Sequence, residues 1–422
     1  MLKLLYNTVV LSLLKFFFSI VGLINPKVKK GLKDRKKLFE NLIIDLADID
    51  RSKKMIWIHS ASMGEFEQAK PIIELLKKNM DVNIVASFFS PSGYINSKNY
   101  PKVNAVTYIP FDTTQNAKRF LSLICPDIAI MMRYDIWPNH IFELHRKNIP
   151  TLIVDATMKE NTLRALPVIR SFHRLIYASV TKILTISEKD TENFGLFNIS
   201  GARIETVGDT RFDRVSNKSK TVSSKRLFVE GMFNGKKVFV IGSSWEADEH
   251  VLIPAFLKLL ERDKDVVVIL VPHEPTINRL ENLENKLNRS FNTIRFSYMN
   301  SYNNERIILV DSIGILLTLY YYADLAYVGG SFKQGIHNVL EPAIYGVPVI
   351  YGPKIENSQE AIALSEDEGG FIVHNKKQAY RIIRKLFSDE NFRKRTGGKA
   401  KEFVISKTGA SEKIYSKIKS YT

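Results

Sequence analysis

One acid in the first third of the chain stands where it could take a proton. The run Met55-Ile56-Trp57-Ile58-His59 reads as a strand, and Ser60-Ala61-Ser62-Met63-Gly64-Glu65 follows it. An amphipathic helix containing Gln68, Ile72, Ile73, Leu75 and Leu76 comes next. Ser62 and Gly64 are candidate substrate contacts, Gly64 because it lets a ligand approach the backbone. Glu65 could deprotonate an attacking hydroxyl, or it could be a first-turn acid that complements the helix dipole. Spacing alone leaves both readings open. A later strand ends in Met132-Arg133-Tyr134-Asp135-Ile136-Trp137-Pro138-Asn139, with a Pro suited to open a helix. Asp135 could orient a substrate, or pair with Arg133 at the start of that helix.

A second group of residues suits a phosphate and a vicinal diol. Gly242-Ser243-Ser244 follows the strand Lys237 to Ile241 and precedes a helix beginning near Glu246, so backbone and hydroxyl donors gather at a helix amino terminus. Asp311-Ser312-Ile313-Gly314 and Gly329-Gly330-Ser331 end two further strands. After the latter, His337-Asn338 leads into Val339-Leu340-Glu341-Pro342, where Glu341 could accept both hydroxyls of a ribose. The usual signatures of hydride transfer, ATP hydrolysis and zinc proteolysis, GxGxxG, GxxxxGK[ST] and HExxH, are missing from the sequence. Asp48 and Asp50 form an acid pair, but they precede the first strand, so no metal is expected.

Short apolar runs separated by amphipathic stretches must position these residues, which is the rhythm of parallel strands joined by helices. One set is 55–59, 82–87, 105–109, 127–132, 151–155 and 182–186. The other is 237–241, 266–271, 306–310, 324–328 and 347–351. Residues 213–226 are polar without an apolar period and read as a linker. The expected fold is α/β, with two Rossmann-like domains, 26–212 and 227–422, facing across a cleft, behind an amino-terminal helix at 1–25.

That first segment is apolar from Leu4 to Ile24 except for a stripe of Thr8, Ser12, Lys15, Ser19 and Gly22, and seven basic residues follow between Lys27 and Lys37. The pattern suits a helix associated with an anionic membrane surface, and it opposes a cleaved secretory signal. The chain's 422 residues carry a net charge of +17, and residues 1–40 and 391–422 together hold +14 of it. With so little charge left elsewhere, a chain-wide nucleic-acid surface is excluded. A single cysteine, Cys125, excludes an internal disulfide framework and suits the cytoplasm.

At these residues the sequence resembles the Kdo transferases, bacterial enzymes that move 3-deoxy-D-manno-octulosonic acid (Kdo) from CMP-Kdo to the lipid A precursor. The likeness rests on His59-Ser60-Ala61-Ser62-Met63-Gly64-Glu65 and on Gly329-Gly330-Ser331 with His337-Asn338-Val339-Leu340-Glu341-Pro342-Ala343. Weaker matches are Ile136 to Asn139, Gly208 to Asp213, Val271-Pro272-His273 and Asp311 to Gly314. The resemblance implies a GT-B fold, an inverting reaction without metal or other cofactor, and a place on the cytoplasmic face of the bacterial inner membrane. It implies Glu65 as catalytic base, with Asp135 and Arg211 also in the catalytic set. Pro272, His273, Ile313, Gly314, Asn338 and Glu341 would contact CMP, with Ser243 and Ser244 as further substrate contacts. Arg133 and Asp135 stand where the family often has two Glu, and Arg211 where it usually has Lys. Another GT-B glycosyltransferase or a sugar-nucleotide epimerase is the rival enzyme, although an epimerase has no use for Leu4 to Ile24. An inactive membrane scaffold is the rival outside enzymology, and retention of Glu65 opposes it.

Overall fold

Alternate side chains of one strand enter two different cores. Met55 and Trp57 pack with Phe120, Ile141 and Tyr177, while Ile56 and Ile58 pack with Phe66, Ile73 and Ile130. A strand buried on both faces needs helices on both sides of its sheet. The computed structural model, which describes residues 1–199, 203–222 and 226–421, has that architecture twice. It separates into two compact units, Met1–Arg214 with Thr408–Thr422, and Val215–Lys407. The first sheet comprises β1 (Lys54–Ser60), β2 (Val82–Phe88), β3 (Ala105–Tyr108), β4 (Ile128–Met132), β5 (Thr151–Ala156), β6 (Lys182–Thr185) and β7 (Arg203–Thr206), in the order β3-β2-β1-β4-β5-β6-β7. The second comprises β8 (Lys237–Ser244), β9 (Val266–Pro272), β10 (Thr293–Arg295), β11 (Ile307–Leu309), β12 (Leu325–Val328), β13 (Val349–Tyr351) and β14 (Gly370–Ile372), in the order β10-β11-β9-β8-β12-β13-β14. All the pairings are parallel.

In each sheet the strand order reverses near the centre, between β1 and β4 and between β8 and β12. A crevice opens at such a reversal, beyond the carboxyl ends of the strands. His59 to Glu65 and Arg133 to Asp135 flank the first crevice, while Gly242 to Ser244 and Gly329 to Ser331 flank the second.

The expected linker at 213–226 begins inside a helix, Thr210–Lys220, and its residues 223–225 lie outside those described. That helix buries one face of Phe212, Asp213 and Val215, the last two within the linker's polar sequence. The Asp213 carboxylate accepts from the backbone N–H groups of Gly409 and Ser411, each at 2.6 Å. These bonds return the chain to the first unit, where the helix Ala410–Lys419 buries Ile414 and Ile418 among Ile58, Phe66 and Ile73. A second domain of 227–422 is therefore not what the contacts delimit, because its last fifteen residues belong with the first sheet. The basic carboxy-terminal stretch is divided in the same way, and Arg393, Lys394, Lys399 and Lys417 are ion-paired.

The apolar first segment is helical over Leu2–Ile24, with one wide turn at Tyr6–Val10. It ends at Asn25, whose side chain caps the next helix, Pro26–Arg35, by accepting from the N–H groups of Lys27 and Val28. One face of the first helix docks beside the carboxyl ends of β2 and β3. Tyr6 donates to Asp112 at 2.8 Å, and the Phe18 ring meets Phe89 and Phe111 at 5.5 and 5.9 Å. Arg35 anchors the following helix on the same edge by donating to the Phe89 and Ile109 carbonyls, and burial lowers its pKa to about 10. The outer face, with Leu13, Phe16 and Ile20, stays exposed.

Candidate functional site

Glu65 lies in the first turn of the helix Met63–Asn79, for which Ser62 is the N-cap. Its carboxylate turns back to accept the Ala61 N–H, and only 7% of the residue is exposed. Burial, reinforced by nearby Asp135, raises its pKa above the usual carboxylate range, against the opposing effects of the Ala61 N–H, His59 and Arg133. Glu65 is thus a first-turn acid as one reading holds, but a solvated acid serving only the dipole would not show that rise.

Asp135 is aligned by groups that its sequence neighbours do not reveal. It meets His59 Nε2 at 2.9 Å and accepts from Trp137 Nε1 at 3.2 Å. His59 is fully buried, and its Nδ1 lies 2.8 Å from Ser87 Oγ, which accepts from Trp57 Nε1 at 2.8 Å. Facing a carboxylate, His59 Nε2 carries the hydrogen of that bond. Arg133, the expected alternative partner of Asp135, instead extends its positive field over both Glu65 and Asp155. Arg133 and Asp155 hold φ values of 60° and 52° at the ends of adjacent strands, a left-handed conformation that non-glycine residues adopt at a cost.

Asp155 accepts from the backbone and hydroxyl of Thr210, and burial together with Asp209 raises its pKa. Arg211 stands after β7 and is clasped by Asp209, with Nε to Oδ2 at 2.9 Å and a second nitrogen to the same oxygen at 2.6 Å. Of the expected first-unit residues, Ser62, Gly64, Glu65 and Asp135 gather at the ends of β1 and β4. Arg211 lies farther along the sheet edge with its guanidinium already engaged.

In the second unit the backbone itself makes room at the strand ends. A Cβ on Gly329 would lie 2.1 Å from the Ser243 carbonyl oxygen, and Gly330 has φ +93°. Only glycine permits this approach of β12 to β8. Gly329→Ala is accordingly expected to lower the melting temperature by several degrees, in line with roughly 1–3 kcal/mol for overpacking, as thermal unfolding would show. The Gly330 N–H donates to Asp248 Oδ2 at 2.8 Å and the Tyr327 hydroxyl to Asp248 Oδ1 at 2.7 Å.

Ser243 has φ +52°, while Ser244 is buried and donates to Glu249, which also pairs with Arg279 at 2.8 Å. The His273 N–H reaches the Ser244 carbonyl at 2.9 Å, so the ends of β8 and β9 bring Ser243, Ser244, Pro272 and His273 together. Trp245, His273 and His337 form a stack, with the outer rings 4.5 and 4.4 Å from the His273 ring, and Trp245 Nε1 donates to His337 Nε2 at 3.0 Å. Burial lowers the His337 pKa, and His273 adds to the effect. Asn338 donates to Glu341 at 3.2 Å. Ile313 and Gly314 form an exposed turn, Gly314 at φ +86°. The helix after that turn, Leu316–Tyr320, places the Tyr320 ring against Gly242 and within the field of Glu341. No cluster of three or more metal-ligating side chains occurs among the described residues.

Sequence reasoning overlooked Asp155, Trp245, Asp248 and Tyr327. Asp248 carried a faint signal, an acid three residues after the helix N-cap Trp245, as in a capping box; Trp245 and Tyr327 carried none.

Residues 31–214 match the family model for 3-deoxy-D-manno-octulosonic-acid transferase (kdotransferase). Over those residues the chain is similar to the Kdo transferases. It is 25% identical over 414 residues to a 3-deoxy-D-manno-octulosonic acid transferase of Haemophilus influenzae, covering 96% of this chain and 94% of that one. It is 28% identical over 375 residues to a bifunctional glycosyltransferase/methyltransferase of Fusobacterium nucleatum, covering 85% of this chain but only 57% of that relative's length. Among solved structures, a UDP-GlcNAc 2-epimerase from Neisseria meningitidis matches with a TM-score of 0.64 at 13% identity, over 87% of this chain and all of that one. At that identity the likeness concerns fold alone, and two parallel-sheet units of this kind are the GT-B type.

Proposed function

We propose that this chain transfers Kdo from CMP-Kdo to the lipid A precursor, as an inverting glycosyltransferase that needs no metal. The observation that supports it most is the pairing of Glu65, buried with a raised pKa, with an Asp135 held by His59 and Trp137 at the reversal of the first sheet. Glu65 takes the proton of a glucosamine hydroxyl of the acceptor as its oxygen attacks the anomeric carbon, and Asp135 orients the sugar. CMP departs with its phosphate charge met by Ser243, Ser244 and the amino terminus of the helix Glu246–Arg262. Glu341 holds the ribose, Pro272, His273, Ile313, Gly314 and Asn338 bound the nucleotide, and Arg211, braced by Asp209, supplies a fixed positive charge. Mass spectrometry of a lipid A precursor incubated with the protein and CMP-Kdo tests this reading: a product heavier by one or more Kdo units is expected, and an unaltered precursor would overturn it.

The first helix supports a location on the cytoplasmic face of the inner membrane, lying in the interface. Contacts from Tyr6 to Phe18 fix it along the unit, so its exposed side is turned outward over several turns. Lys27, Lys29, Lys30, Lys36 and Lys37 are exposed beyond it and make no ion pair among the described residues, which suits an anionic leaflet. Leu13, Phe16 and Ile20 are 62%, 66% and 43% exposed. Changing all three to Ser is expected to lower partitioning onto phosphatidylglycerol vesicles at least tenfold in a sedimentation assay, with high salt releasing much of the remainder.

A further inference from the structure

Beside Asp135 the first unit contains a groove of about 450 Å³, within the size of small-molecule sites, roughly 300–1,000 Å³. One wall is the first helix, through Leu5, Tyr6 and Val10. The other is the helix Pro167–Ala178, through Ile169 and Phe172, and Asp135 and Trp137 close the inner end. We propose that this groove holds an acyl chain of the lipid acceptor, a deepening that rests on the transfer reaction proposed above.

Three observations commit the groove to that occupant. Its lining is mostly apolar, with Asp135, Arg164 and His173 as its ionisable exceptions besides tyrosine hydroxyls, which suits a hydrocarbon chain attached to a polar head. Its inner end is continuous with the reaction site, because Asp135 bonds His59 and lies within the field of Glu65. A sugar hydroxyl presented to Glu65 would therefore carry its attached chain past Asp135 and into the groove. The outer rims also lead toward lipid. Val10 on one side and Leu166, Val168 and Ile169 on the other are exposed, continuing the exposed apolar face of the first helix. Arg170 and Arg174 stand exposed on the second wall's helix, and Arg164 lies within the groove, where they suit the anionic head of such an acceptor.

The test uses the full chain with two acceptors that share a phosphorylated glucosamine disaccharide, one acylated and one fully deacylated. Ile169→Phe narrows the groove, and Ile169→Asp puts a charge into it. Because Ile169 is partly exposed, both variants are expected to fold. In each, the ratio of kcat/KM for the acylated acceptor to that for the deacylated one should fall at least tenfold; ratios equal to the wild type's in both would overturn the groove. A second readout does not depend on turnover. Bromine-labelled fatty acid, below its micelle concentration, should quench Trp137 fluorescence, with Trp137→Phe identifying the signal. The acylated acceptor should relieve the quenching and the deacylated one should not. Absent quenching, or equal relief by both acceptors, would overturn the groove. If wild type modifies neither acceptor, the reaction falls, while the quenching still decides whether the groove takes a chain.

Discussion

Glu65→Gln is expected to lower Kdo transfer by about 10²–10⁴-fold, the usual contribution of a positioned general base. The amide keeps the shape of the side chain, and its oxygen can still accept the Ala61 N–H, so the turn after β1 should survive. What it lacks is the capacity to take a proton. CMP affinity should stay within a few fold of wild type, because the nucleotide contacts proposed lie in the second unit. Single-turnover transfer and CMP titration on the same preparation would separate these outcomes. Unchanged turnover would remove Glu65 from the chemistry.

The same substitution carries a stability signature of opposite sign. Burial raises the Glu65 pKa above its unfolded value, so the folded protein retains this proton to higher pH than the unfolded chain does. Stability therefore falls as pH rises from the ordinary glutamate value, about 4.3, through the raised one, and the cost persists at neutral pH. Glu65→Gln should unfold at a higher temperature than wild type at pH 7, with the advantage vanishing below the ordinary carboxylate range. The acid limb of the wild-type activity profile should likewise lie above that range. A residue that costs stability where the protein works is better explained by function than by packing.

Strands buried on both sides were legible in the sequence, and three of the four edge strands were not. Each of the eleven expected apolar runs contains a strand. The three that escaped, β7, β10 and β14, lie at sheet edges, where pairing on one side relaxes the demand for an apolar run. Arg-Ile-Glu-Thr in β7 and Thr-Ile-Arg in β10 look like loop sequence because each holds a single apolar residue. The expected linker failed for the converse reason. Its buried face rests on a carboxylate, Asp213, whose partners are backbone groups nearly two hundred residues away.

The candidate site divides along the same line. Glu65, Asp135 and Glu341 stood out because each follows a strand end through turn residues. The groups that align them come from elsewhere: Ser87 reaches His59 from β2, and Asp248 holds Gly330 from the helix after β8. Spacing along the chain cannot report contacts between strands whose neighbours are set by the sheet order. Resemblance named residues such as Arg211, but not the Asp209 clasp that already occupies its guanidinium.

The nucleotide half of the proposal is most exposed at Glu341. Glu341→Ala should weaken CMP and CMP-Kdo together by at least tenfold, because hydrogen bonds to a charged group contribute roughly 1.5–3 kcal/mol each and a ribose offers two. Glu341 is half-buried in the first turn of Leu340–Ala343, where Asn338 donates to one of its oxygens at 3.2 Å. That bond helps to fix the carboxylate's direction. The loss should appear in the Michaelis constant for CMP-Kdo, with turnover at saturating donor little changed, because the ribose bonds are the same in the ground and transition states. A 2′-deoxy donor should suffer less from the mutation than the normal donor, as one of the two bonds is already missing. Asn338→Ala should give a smaller loss of the same kind, because it loosens the carboxylate without removing it. Calorimetric titration of CMP into wild type and the two variants distinguishes the roles: equal affinity in Glu341→Ala would make Glu341 a helix acid that serves the fold and would place the nucleotide elsewhere.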